Sequence, residues 1–256
     1  MELTLSTYLI VLPLVFLAGF IDSAAGGGGL ISLPAYLAAG LPAHMAAGTN
    51  KLSASIGTAT AVARFGQGHH LSWRVGLVSA AAALPASFLG ASLQQRFDDR
   101  TLRIVLLCIL PLAALGVLSW RGKTQTRLRV SSGMTVPVSL LIGAVIGFYD
   151  GLIGPGTGTF LIILFTSLLG LSPVDASGTA KIVNLSSNIA ALVSYLRLGQ
   201  VLFLLGLPAA CMSTLGSLLG STLAIRKGSG FIRIMLLIVL GLLLAKILVD
   251  VLSSHL

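Results

Sequence analysis

The stretch GFIDSAAGGGGLISLP, residues 19–34, decides how the chain is read. It lies within an apolar run, residues 7–39, and sets Gly26, Gly27, Gly28 and Gly29 where a membrane helix would otherwise continue. Four glycines in a row leave backbone N–H and C=O groups unpaired. Such backbone is tolerated at membrane depth only when buried in protein or lining a wet cavity. Single glycines elsewhere, such as Gly57 and Gly241, need no more than close helix packing to explain them. A second break, Gly154-Pro155-Gly156-Thr157-Gly158, interrupts residues 135–169. Either stretch is too long for one straight crossing and too short for two joined by a loop. The expectation is a half-crossing, a break and a short return helix.

Composition agrees with a membrane setting. Of 256 residues 55% are apolar and 9% charged, with mean hydropathy +1.00; a soluble domain carries about 25% charged residues. Soluble enzymes, nucleic-acid modules and disulfide scaffolds are therefore poor readings. The 16 Lys and Arg against 7 Asp and Glu form short clusters between apolar runs. Lipid head groups and the positive-inside bias account for them, and no nucleic-acid partner is expected. Continuous spans are expected at 43–65, 73–95, 101–120, 174–196, 201–224 and 231–253. Cys108 and Cys211 lie in apolar runs without a CxxC and read as small core residues, so no metal or cofactor is expected. The N-terminus has no basic stretch before its first apolar run, which is expected to stay as a membrane helix.

The two breaks belong to an internal repeat. Gly19-Phe20-Ile21-Asp22 recurs as Gly147-Phe148-Tyr149-Asp150, Gly40-Leu41 as Gly170-Leu171, and Gly48-Thr49-Asn50-Lys51 as Gly178-Thr179-Ala180-Lys181. Pro85-Ala86 and Arg103 recur as Pro208-Ala209 and Arg233, so the offsets stay between 123 and 130. The expected organisation is a first membrane repeat at 1–120, a basic linker at 121–133 and a second repeat at 134–256. If each broken segment enters and leaves on one face, the halves are inverted. Nine loop cations then share one face (Arg64, Arg74, Arg121, Lys123, Arg127, Arg129, Arg226, Lys227, Arg233) against four on the other (Arg96, Arg100, Arg103, Arg197). The positive-inside rule prefers this arrangement, with the linker cytoplasmic and both termini outside. The fold class expected is an all-α polytopic membrane protein of two homologous, inverted repeats, each a Gly-broken re-entrant segment plus three spanning helices.

Paired broken segments at matching positions of two halves point to the binding site of a secondary transporter. GFIDSAAGGGGLISLP, followed by GLPAHMAAGTNKL and its echo GLSPVDASGTAKI, resembles the sulfite exporter TauE/SafE family of bacterial membrane proteins, over nearly the whole chain. The resemblance implies inverted repeats and transport of sulfite, sulfoacetate or related sulfur-containing anions in a multi-pass protein of the bacterial inner membrane. The second break departs from an all-Gly run through Pro155 and two threonines.

An anion site at mid-depth needs positive potential without bare charge. The short helix after each break, beginning near 29 and near 158, offers unpaired N–H groups and the positive end of its dipole. Glycines let that backbone approach an oxyanion closely. The candidate set is Gly26, Gly27, Gly28 and Gly29 with Gly156, Thr157 and Gly158 from the breaks, and Thr49, Asn50, Lys51, Thr179, Lys181, Asn184 and Asn188 from the helices that follow. Ser23 adjoins the first break. Lys51 and Lys181 each lie eight residues into a helix, about 12 Å deep. They either face the anion, with Lys51 mattering more, or pair with Asp22 and Asp150. Either carboxylate could carry a coupling proton. His44 falls near a helix start, His69-His70 lies between spans, and Trp73, Trp120 and Arg74 read as interfacial anchors. Asp98-Asp99 caps a helix beginning near Thr101.

The expected partners are a small anionic substrate and the lipid bilayer, with a homodimer left open. Function reads as a secondary transporter, proton- or gradient-coupled, working by alternating access around a midplane site. An anion channel with a backbone-lined pore is the main alternative. An intramembrane enzyme is the lesser one, since no Ser or Cys has a clear base nearby.

Overall fold

The structure, a computed structural model, describes residues 4–98 and 130–253, and every regular element among them is helical. The order is α1 (Leu5–Ala25), α2 (Gly29–Ala38), α3 (Ala43–Gln67), α4 (Trp73–Gln94), α5 (Thr135–Leu152), α6 (Thr157–Ser167), α7 (Pro173–Arg197) and α8 (Phe203–Ser253). A 3-10 turn at Ser132–Met134 leads into α5. The expected span 101–120, the linker up to residue 129, Cys108, Trp120 and the cap at Asp99 lie outside the described residues.

Among the described residues, four helical stretches are long and apolar enough to cross a membrane: α1, α4, α5 and Phe203–Val239 of α8. The 25-residue helices α3 and α7 have the length, about 37 Å, but carry the polar residues. Those residues are turned inward: Thr49, Lys51, Ser53, Thr179, Lys181, Asn184 and Asn188 are all buried. The apolar helices do the opposite, exposing Leu9, Leu77, Leu89 and Leu204 on faces that lipid would cover. The molecule thus buries this polar set among apolar clusters and is apolar-coated, unlike a water-soluble bundle.

The broken stretches differ from expectation in one arm. The incoming helices have 21 residues in α1 and 18 in α5, about 31 and 27 Å. Neither is a half-crossing. A helix continues while each N–H finds its partner four residues back, and α1 stops only where Gly26 can adopt φ 81° and cap it, donating its N–H to Asp22 O at 2.7 Å. The return arms are short as expected, with 10 residues in α2 and 11 in α6. Tyr36 and Leu41, at the far end of α2 and beyond, pack beside Val11 and Val15 of α1. Val130 N–H, just before α5, donates to Leu168 O at the end of α6 at 3.2 Å.

The long α8 is two helices meeting at Gly228, whose φ of 69° and ψ of −157° no helix contains. Ala224 and Ile232, on either side of it, share one apolar cluster. Further along, Ser217 Oγ donates to Gly19 O at 3.4 Å, and Val239 packs on Gly27. Both arms therefore run back to the first break, matching the two spans expected at 201–224 and 231–253. Glycines set the closest helix contacts. A Cβ at Gly143 or Gly151 would collide with the backbone of Ser79 or Ser87, which seats α5 on α4. Gly216 and Gly220 seat α8 on α1 in the same way, against Phe16 and Phe20. Cys211 corrects one reading: it is exposed on α8, not a core residue. A thiol is apolar enough for a lipid-facing position.

Candidate functional site

The two breaks meet. A Cβ on Gly26 would strike the backbone of Gly158, so two main chains touch where neither residue has a side chain. Thr159 Oγ1 donates to Ala25 O at 2.8 Å, and Ser177 Oγ to Ala24 O at 2.8 Å, pinning the end of α1 to the second half. Gly154 and Gly156 take φ of 90° and 86°, conformations that suit glycine, and Gly156 forms the N-cap of α6.

Beside this crossing lies a cavity of about 70 Å³. One water occupies roughly 10–15 Å³ on this measure, so the space holds several waters or one small anion. Of the residues expected at the site, Gly26, Gly28, Gly29, Gly156, Thr157 and Gly158 line it from the breaks. Asn50, Lys51, Asn184 and Asn188 line it from α3 and α7, and Asp22 and Asp150 from the helices before the breaks. Gly27 is turned away against the side chain of Val239. Thr49 and Thr179 are also elsewhere: their hydroxyls accept the Leu202 and Ser72 N–H groups, each at 3.0 Å, and so hold the loops before α8 and α4. Ser23 Oγ donates to Phe20 O at 3.0 Å within its own helix.

The lysines and aspartates form two ion pairs, each joining one half to the other. Lys51 Nζ lies 3.1 Å from Asp150 Oδ2, and their side chains are 9% and 7% exposed. The same ammonium donates to Asn188 Oδ1 at 2.8 Å and to Asp150 O at 3.2 Å. Asp150 also accepts from Thr157 Oγ1 at 2.9 Å and from Ser187 Oγ. In the second pair Lys181 Nζ lies 2.9 Å from Asp22 Oδ2; the lysine is 0% exposed and the aspartate 25%. Asp22 Oδ1 accepts the Gly28 N–H at 3.2 Å. Its carboxylate thus stands between the buried lysine and the cavity, and it holds a backbone donor of the first break. Asn184, 5% exposed, has a buried Oδ1 with no hydrogen-bond partner among the described residues.

Several lining residues were not anticipated. Ser32, Ser53, Gln94, Tyr195, Ser213 and Ser217 are among those that line the wall. Tyr195 OH donates to Gln94 Oε1, closing the cavity between α4 and α7. The signal for two of them was present in the sequence, since Ser213, Ser217 and Ser221 recur every four residues along an otherwise apolar helix. Elsewhere, His44 Nε2 meets Phe97 O at 3.1 Å and His70 Nδ1 meets Asp175 at 2.8 Å, both at helix ends. Among the described residues no group of His, Cys, Asp and Glu could hold a metal.

Known proteins give the arrangement its context. The family described as "Sulfite exporter TauE/SafE" matches residues 11–247. A "Probable membrane transporter protein ORF9" of Sinorhizobium sp is 35% identical over 237 residues, covering 92% of this chain and 90% of that protein. The "Probable membrane transporter protein YfcA" of Escherichia coli K12 is 35% identical over 235 residues, 91% and 87% of the two chains. A "Probable membrane transporter protein" of Haemophilus influenzae is 33% identical over 252 residues, 98% of both. No solved structure matches significantly. The helices, the coat and these relatives agree on a multi-pass transporter of the bacterial inner membrane. The chain belongs to the sulfite exporter TauE/SafE family.

Proposed function

We propose that this transporter moves small sulfur-containing oxyanions, such as sulfite, sulfoacetate or other organosulfonates, by alternating access around the cavity at the crossed breaks. The observation that carries this reading is the cavity itself, which is lined by glycine backbone of both breaks, by the Lys51–Asp150 pair, by Asp22 of the second pair and by the side-chain amides of Asn50 and Asn188. Compact oxyanions are the ligands such backbone donors and amides fit. The test is uptake into proteoliposomes of labelled sulfite, sulfoacetate, thiosulfate and sulfate, with and without a pH gradient. Accumulation of at least one sulfur oxyanion supports the proposal, and transport of none defeats it. A conductance in planar bilayers far above transporter turnover would favour the channel alternative instead.

Alternating access would follow from inverted halves. Left-handed residues recur at repeat spacing: Gly26 with Gly154, Gly40 with Gly170, and His69 with Gly199. Tyr8 OH donates to Leu204 O at 3.2 Å, and Leu202 N–H to Thr49, which gathers the starts of α1, α3 and α8 at one end. Val130 to Leu168, and Ser72 to Thr179, gather the starts of α5, α7 and α4. These contacts support opposite directions for α1 and α5. A reporter in linker 121–133 should then be cytoplasmic and one fused after Leu256 periplasmic. Both on one face would defeat inversion.

A further inference from the structure

We infer that the anion and a proton bind together, with Asp22 as the proton acceptor, so that the carrier works as an anion–proton symporter. The inference rests on the anion reading above and assigns its coupling.

The argument is one of charge. Lys51, Asp22 and Asp150 line one cavity, Lys181 lies behind Asp22, and the four charges cancel. Neither ammonium is free, so an anion entering this cavity would make a buried site net negative, which is strongly unfavourable. A proton on one carboxylate turns the site net positive before the anion arrives, and the anion then neutralises it. Proton and anion therefore favour each other's binding and must travel in the same direction. An antiporter would need the opposite sign.

The two carboxylates are not equivalent acceptors. Asp150 is sealed, with Lys51, Thr157 and Ser187 all donating to it, and a proton there would oppose three donors. Asp22 has one ammonium and one N–H, and is a quarter exposed to the cavity from which a proton would come. Its surroundings hold few other charges. It is the only acidic or basic residue of α1, and α2 and α6 carry none. Besides Lys51, α3 has His44 and Arg64, held by Phe97 O and Thr222 near its two ends. Besides Lys181, α7 has Asp175 and Arg197 near its own ends, and Arg226, Lys227 and Arg233 of α8 flank the Gly228 kink. Asp150, on α5, already has Lys51. The Asp22 carboxylate is in effect a tethered stand-in for the substrate oxyanion. Its protonation leaves the Lys181 charge uncompensated behind it and frees the Gly28 N–H for the anion.

The probe must not titrate itself, which excludes sulfite; methanesulfonate keeps a single negative charge through the neutral range. Its binding to the purified full chain is measured by calorimetry between pH 6 and 8, in two buffers of different ionisation heat. The expected result is uptake of one proton per anion at the alkaline end, with Kd rising by up to about tenfold per pH unit. Asp22→Asn should abolish the uptake and flatten the pH dependence. In vesicles, a methanesulfonate gradient should drive protons the same way as the anion. Binding by the unmodified chain with no proton uptake at any pH, or uptake that persists in Asp22→Asn, overturns the inference and leaves the anion reading standing. The unmodified chain decides even if the variant does not fold. Failure of methanesulfonate, sulfate and thiosulfate to bind at any pH defeats the anion reading, and this inference with it.

Discussion

The two breaks occupy matching positions in the sequence and are built for different tasks. The second is tied down from within: Thr157, where the first break has Gly29, donates to Asp150, and Tyr149 OH donates to Pro155 O at 2.7 Å. In the first break the acidic side chain that holds the turn, Asp22, has no hydroxyl donating to it among the described residues and also carries Lys181. One pair is therefore a clamp and the other has room to change. Near-symmetric halves with unequal pairs would let a carrier keep a rigid fulcrum while one charge pair responds to ligand.

The largest expected contrast is between two glycines at equivalent positions. Both Gly26 and Gly154 are left-handed, so alanine is strained at either by about 1–2 kcal/mol. At Gly26 the new Cβ also collides with the Gly158 backbone, whereas at Gly154 its nearest neighbour is 3.5 Å away. Gly26→Ala should prevent a folded, monodisperse protein from being recovered. Gly154→Ala should purify normally with a modest fall in Tm. Similar yields from both would show that the breaks do not cross as described.

The next contrast concerns the ion pairs. Lys51→Met leaves Asp150 uncompensated at 7% exposure, which should destabilise by about 3–5 kcal/mol. Lys181→Met strands a carboxylate that cavity water can still reach, so its cost should be smaller. Adding Asp150→Asn to the first and Asp22→Asn to the second completes two double-mutant cycles, read by thermal unfolding. The coupling should be larger for Lys51 with Asp150. An equal or reversed order would remove the distinction between clamp and responsive pair.

Much of this was legible in the chain. The breaks, the short return helices and the inward lysines follow from glycine runs and from charges that lipid would not tolerate. The partnership of the lysines was open between substrate and aspartates. Pairing is set by which helices cross, and Lys51 and Asp150 are 99 residues apart. The length of α1 was underestimated because residues 7–39 were divided into two short arms about the glycines, whereas the helix starts at Leu5 and holds until Gly26 caps it, leaving only the return arm short. Gln94 and Tyr195 were passed over because each lies near a helix end, where a polar side chain usually meets water.

The smallest expected effect tests the repeat rather than the site. Thr49 and Thr179 looked like ligands because they are neutral hydrogen-bonding residues on the helices that carry the lysines, two residues before each. Two residues along a helix is about 200° around it, so a threonine and its lysine face nearly opposite ways. Each hydroxyl accepts one loop N–H at 3.0 Å, from Leu202 and from Ser72. Thr49→Val or Thr179→Val keeps the shape and strands that N–H, at a cost of about 1–3 kcal/mol. Because the two contacts are equivalent in the two halves, the two Tm losses should match closely, and methanesulfonate affinity should be unchanged in both. A loss of affinity in either would return that threonine to the site. A clear inequality in Tm would mean that the halves share a sequence pattern without sharing its mechanics.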